Sequence, residues 1–206
     1  MNANEMQDTQ NENAPPPTLS TALKEWAVAV RALREGRQIF LLRKGGIRES
    51  GGEFAVEARN VLLFPTYIHA DEQPDALQPC YAAYRTQEDA RRPKGETVCL
   101  EAFARITDAF VVTNVDALFR IHNQHIYSDS FLRFRAANEP HKPLYCLFLR
   151  AYDLAAPVTV PLEPDYYGCK SWITLNESLS TAGAVPAMRD AAYEERVRVT
   201  KSLLVR

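Results

Sequence analysis

Five residues near the start of the chain have the types and spacing to hold a phosphate. Arg43 and Lys44 stand beside Gly45 and Gly46, and Arg48 follows. Glycine lets backbone N–H groups approach an anion closely, and a guanidinium grips it through two parallel hydrogen bonds. The spacing is not that of a P-loop, which needs a Gly-Lys-Ser/Thr ending. The other reading of the same residues is a Gly-Gly hairpin turn with solvated flanks. A second string, Lys170 to Trp172, places a cation next to a large ring, with Tyr167 just before it. Rings near cations suit an unstacked base; the alternative is that Trp172 belongs to the core.

Other groups are chemically suggestive without forming a set. His122 and His125 are three apart, and His69 follows Pro65-Thr66-Tyr67. A metal would need Cys169 or a carboxylate beside them, so no metal site and no cofactor is expected. Glu49, Thr66, His69, His125 and Arg150 form a candidate polar cleft. Cys169 adjoins Lys170, yet neighbours on a strand point to opposite faces, which separates thiol from ammonium. A metal-dependent nuclease needs clustered carboxylates and a lysine. Asp165 with Lys170, and the distorted Glu57-Ala58-Arg59, are the nearest approach, and no catalytic residue is assigned.

The elements that position these residues follow from periodicity. Leu23, Trp26, Ala27, Val30 and Leu33 recur at helical spacing, so a helix is expected from about Ala22, stopped at Gly36. Strands are expected at 38–43, 54–57, 61–64, 97–112, 144–152, 158–160 and 170–175. Short helices are expected after Asn114 and Ser128, and a terminal helix after Asp190. Residues 70–96, rich in Pro and charge, read as a long excursion with one short helix, and as a surface for a protein partner. Strands do not alternate with long helices, so the expected class is α+β: a mixed or antiparallel sheet curled into a small barrel, flanked by N- and C-terminal helices.

Charge and composition set limits. The chain has 24 basic and 26 acidic residues, but Glu5, Asp8 and Glu12 lie in the first twenty, which hold no Lys or Arg. Residues 1–20 therefore read as a disordered tail, and residues 21–206, with 24 basic against 23 acidic, as one globular domain. A nearly neutral body has no general electrostatic footprint for nucleic acid, so any contact must be local. No stretch is long and apolar enough for a bilayer span, and no signal peptide opens the chain. A cytoplasmic protein with reduced thiols is expected.

Several strings together resemble a bacterial family called domain of unknown function 1802. They are Leu23-Lys24-Glu25-Trp26-Ala27, Leu41 through Glu49, Leu63-Phe64-Pro65-Thr66-Tyr67, His125-Ile126-Tyr127-Ser128, Leu149-Arg150-Ala151-Tyr152 and Gly168 through Trp172. The family pattern has Trp where Tyr127 stands. The resemblance implies no mechanism, although some members accompany restriction-type endonuclease domains. The order of the later strands is also similar to PUA-like barrels of the EVE and ASCH type, which implies binding of RNA, DNA or a modified base. The resulting expectation is a nucleic-acid-binding module acting through Arg43, Lys44, Gly45, Gly46, Arg48, Lys170 and Trp172. A metal-dependent nuclease or other hydrolase is the second reading, and a protein-interaction module the third.

Overall fold

A computed structural model describes residues 15–44, 49–50, 53–54, 58–67, 75–138, 141–168 and 170–204, with backbone alone at 49–50 and 53–54. The expected tail up to residue 14, and with it Gly45, Gly46, Arg48, His69 and Cys169, lies outside these residues.

The first element is a strand, not the expected helix. β1 (Thr18–Trp26) leads directly into α1 (Ala27–Arg34). β1 thus starts at Thr18, within the stretch read as tail. The helical stripe was half right: Ala27, Val30 and Leu33 are buried on α1, whereas Leu19, Ala22 and Leu23 are buried on β1. Tertiary pairing overrides local periodicity, because β1 is held on both edges.

The remaining strands are β2 (Phe40–Lys44), β3 (Glu49–Ser50), β4 (Glu53–Phe54), β5 (Asn60–Thr66), β6 (Thr97–Val111), β7 (Leu144–Pro161), β8 (Trp172–Ser180) and β9 (Val185–Pro186). The helices are α2 (Ala82–Arg91), α3 (Asp116–Arg120), α4 (Asp129–Ala137) and α5 (Asp190–Leu204). The seven-stranded sheet runs β2-β7-β6-β5-β1-β8, with β9 added to β7. It is mixed: β1 lies parallel to β5 and antiparallel to β8. The class is α+β, as expected.

Two stretches expected as separate strands, 144–152 and 158–160, are one eighteen-residue strand, β7. Pro157 does not break it. The register against β6 shifts between Leu100 and Ala102, and the proline falls at this irregularity, where no regular ladder bond is lost.

Alternation along the strands builds two apolar clusters on opposite faces of the sheet. Leu23, Val61, Leu63, Ala102 and Ala104 join α1, β2 and the short helices in the larger one. Ala22, Leu62, Phe64 and Phe103 form the smaller with Tyr166, Ile173 and Leu175. Phe40, Phe103 and Phe148 are fully buried, each worth roughly 2–3 kcal/mol over an exposed side chain.

The hydrogen-bonded path does not close into a barrel among the described residues, yet the sheet curls until its distant strands meet. Arg43, on β2 at one end of the path, donates through Nη2 to the Lys24 carbonyl of β1 at 2.6 Å, and lies 3.0 Å from Glu25 Oε2. On the other side, a turn from β8 brings β9 onto β7, pairing Val185 with Asp153 and Pro186 with Tyr152. Gly183 sits in that turn at φ +73°, and a Cβ there would lie 3.3 Å from the Ala155 Cβ.

Gly183 therefore has both a conformational and a steric reason to be glycine. Gly183→Ala should destabilise the chain by about 1–2 kcal/mol, read as a lower urea midpoint at unchanged slope. An unchanged midpoint would mean that the turn does not fasten the curl.

Candidate functional site

The ends of β1, β2 and β5, the start of β8 and the 125–128 stretch meet where the sheet curls on itself. The core there is polar. Glu25 accepts from the Trp26 N–H through Oε1 at 2.8 Å and pairs with Arg43 through Oε2. Both side chains are largely buried, with 12% and 14% of their surface exposed. The Arg43 Nε and the Trp172 Nε1 are buried without a hydrogen-bond partner among the described residues. Both adjoin the same piece of β1. Trp172 pairs in register with Leu23, and Ser171 accepts from the Lys24 N–H at 2.9 Å, while Arg43 reaches the Lys24 carbonyl. A buried donor without an acceptor costs about 1–3 kcal/mol.

An aromatic row leads into this point. His125, Tyr127, Phe131 and Trp26 follow one another with ring centroids 5.8, 5.1 and 5.0 Å apart. The Gln38 amide ties the row to β2: its Nε2 donates to the Phe40 carbonyl at 2.6 Å and to the Tyr127 hydroxyl at 3.1 Å, and its Oε1 accepts from the Ile126 N–H. Burial pushes the Tyr127 phenol well above its ordinary value; Glu25 adds to the rise and Arg43 opposes it. Tyr127 is therefore a neutral hydroxyl at physiological pH.

The residues expected from the sequence divide. The place where these strand ends meet, the mouth, carries Arg43, Thr66 and Trp172 on its strands, with Lys170 exposed just before β8 and donating at 3.3 Å to the Asp165 carbonyl. Lys44 turns elsewhere: its Nζ donates to the Ala136 carbonyl at 2.7 Å and to that of Asn138, closing the C-terminus of α4. Arg43 and Lys44 are thus inward ties rather than free cations. Trp172 is buried in the larger cluster, as its core reading has it. The polar cleft does not assemble among the described residues. His125 is fully buried, its Nε2–H donating to the Leu118 carbonyl at 3.1 Å. Arg150 instead binds Asp190 at the start of α5, above the Tyr152 and Tyr193 rings. Glu49 falls on β3, where the backbone alone is described. His122 is exposed, and no group of three or more His, Cys, Asp or Glu suited to a metal occurs among the described residues.

Sequence reasoning missed Lys24, Glu25, Gln38 and Tyr127 as site residues. Lys24 fixes the loop before β8 by donating to the carbonyls of Tyr166 at 2.6 Å and Gly168 at 2.8 Å. The signal was present, because the family-like strings around Lys24, Arg43, Thr66, Tyr127 and Trp172 are the segments that meet here. Also missed was a second polar region, between α1, α2 and β6. There Arg31, Arg34 and Arg91 alternate with Glu88, Glu101 and Asp153. The partners are far apart in sequence, and no spacing announces them. The excursion expected as a partner surface supplies α2 to this region.

A family profile described as domain of unknown function (DUF1802) matches residues 22–199. No curated protein matches the chain. Among solved structures, the ZmASCH S128A mutant protein from Zymomonas mobilis is similar at 12% identity and TM-score 0.43, over 90% of this chain and 99% of that one. ASCH from the same organism is similar at 13% identity and TM-score 0.41, over 87% and 94%. The family resemblance read from the sequence is met.

His125 gives this region a pH dependence. Burial holds its imidazole below the ordinary value, with the Leu118 carbonyl opposing in part. Above about pH 6.5 the ring is neutral whether the chain is folded or not. Below it the unfolded chain takes a proton that the folded one refuses, so stability falls as pH falls. Unfolding midpoints from pH 8 to 5 should drop more steeply for the wild type than for His125→Gln; parallel curves would remove His125 as the cause.

Proposed function

The chain belongs to the family described as domain of unknown function 1802, and we propose that it works as a nucleic-acid-binding module whose contact surface is the mouth of the curled sheet. The observation that carries this reading is Trp172. Its indole N–H is buried without an acceptor among the described residues, Trp172 pairs in register with Leu23, two residues before Glu25, and it stands two residues from the exposed Lys170. An unstacked base or a strand end offers what these groups lack: acceptor atoms for the indole and the Arg43 Nε, and a flanking phosphate for Lys170. Gly45, Gly46 and Arg48 follow Arg43 and Lys44 in the chain and belong to the same proposed set.

The near-neutral body fits a ligand held at one point rather than along a charged face. Arg43 contributes by order more than by charge: with Nη2 engaged by β1, its remaining donors are fixed in direction before a ligand arrives. The setting that the family resemblance implies is DNA defence of the restriction type, with this chain recognising rather than cutting. Metal-assisted hydrolysis needs clustered carboxylates, and no group of three or more His, Cys, Asp or Glu suited to a metal occurs among the described residues.

Short single-stranded DNA and RNA should bind at low salt, with affinity falling as salt rises, read by fluorescence anisotropy. Lys170→Ala should weaken binding across sequences and lower the salt slope by about one. Trp172→Phe, which keeps a ring and deletes the N–H, should cost roughly threefold to tenfold and leave the slope unchanged. Absence of binding to any strand at low salt ends the proposal. Divalent-metal-dependent cleavage of the probe would replace it with the nuclease reading.

A further inference from the structure

The helix α2 is attached in an unusual way. Surface helices are ordinarily held by an apolar stripe against the core. On α2 the one buried residue is Glu88, at 6% exposure. Its carboxylate lies 3.4 Å from Arg31 of α1 and 3.2 Å from Arg91 of its own helix. Arg91 also pairs with Glu101 of β6 at 2.6 Å. Glu101 pairs in turn with Arg34 of α1, which meets Asp153 of β7 at 2.6 Å. Arg31 closes the far end on Glu35 at 2.7 Å, where the Tyr84 hydroxyl of α2 also donates. The result is one chain of alternating charge that fastens α2 to three other elements.

Two further contacts have the same character. The Arg31 guanidinium lies 4.1 Å from the Tyr84 ring centre, and Arg92, just past α2, lies 5.3 Å from that of Tyr67. The segment before α2 is anchored differently, by backbone. Leu77 bridges to Tyr127, and the Gln78 N–H donates to the Ile126 carbonyl at 2.8 Å. One side of the helix is therefore hinged by hydrogen bonds to the aromatic row, and the other is held by charge.

Under the helix lies a cavity of about 60 Å³ lined by Ala27, Val30, Leu63, Pro65, Tyr67 and Cys99 as well as by the charged residues. An open groove of about 470 Å³ continues it past Arg34, Gln87 and Asp153. Ala27 and Pro65 are the direct chain neighbours of Trp26 and Thr66, so the cavity wall and the mouth share the ends of β1 and β5.

We propose that α2 is an electrostatically latched lid over the Tyr67 and Cys99 cavity, opened by loss of the Glu88 and Glu101 ion pairs while the two apolar clusters stay folded. Charge attraction weakens as salt rises, less for partly buried pairs such as these than for exposed ones, whereas apolar burial does not weaken. Opening is thus a local event separable from unfolding. It stands independently of the proposed ligand at the mouth.

Cys99 reports it. In a Cys80→Ser, Cys169→Ser background the remaining thiols are Cys99, on the cavity wall, and Cys146, fully buried. Iodoacetamide labelling of Cys99, followed by mass spectrometry, should accelerate about tenfold in Glu88→Gln with Glu101→Gln. Raising salt to about 1 M should accelerate the background protein and leave the double variant unchanged. Cys146 should stay unlabelled throughout. The proposal is overturned if Cys99 reacts equally under all conditions, or if Cys146 labels in step with it, since opening would then be global. The salt arm needs no substitution at the latch, so it decides the matter even if the double variant folds poorly.

Discussion

The ion pair between Glu25 and Arg43 joins strands that the hydrogen-bond ladder leaves apart. β2 and β1 lie four steps from each other along the sheet, and the ladder between them runs the long way through β7, β6 and β5. Arg43 crosses the interior directly to the Lys24 carbonyl and the Glu25 carboxylate. Two charges with so little exposure are costly to desolvate, and a hydrophobic pair of similar volume is often as stable. The pair is best understood as a device that fixes where the curl stops and sets a polar mouth in an otherwise apolar core.

Much else follows from that placement. Lys24 points to the opposite face, where it fastens the loop that delivers Lys170 and Trp172. Lys44, next to Arg43, closes α4 and so fixes the helix that carries Phe131 against Trp26. Cations that look in sequence like a surface patch are the ties of a scaffold, and what remains for a ligand is a small number of directed donors. Recognition by few, ordered groups relies on pre-organisation rather than on net charge.

The sequence was most legible where local chemistry decides structure. Ser128 accepts from the Phe131 N–H at 3.1 Å, as an N-cap should, and Asn114 accepts from that of Asp116 at 2.9 Å. The alternating β6 and the terminal α5 stand where periodicity put them. Legibility failed where distant pairing decides. Leu23 and Trp26 open a helical stripe, but β5 and β8 claim their segment as a strand. Pro157 reads as a boundary until the register shift that absorbs it is seen. Among site residues, Arg43 and Trp172 were found for their chemistry while their inward orientation was not legible. Glu25 was invisible because its partner is eighteen positions away in sequence and reaches it across the curl.

The most direct test of this account is a double-mutant cycle on the pair, using Glu25→Gln, Arg43→Met and the combination, with stability from urea unfolding. If the pair clasps the mouth, each single substitution leaves a buried group uncompensated and costs about 3 kcal/mol or more. The double variant should then recover part of that loss, with a coupling energy of roughly 2 kcal/mol. Costs that add to within about 0.5 kcal/mol would contradict it, because they would show two side chains that lie close in space without holding the sheet together.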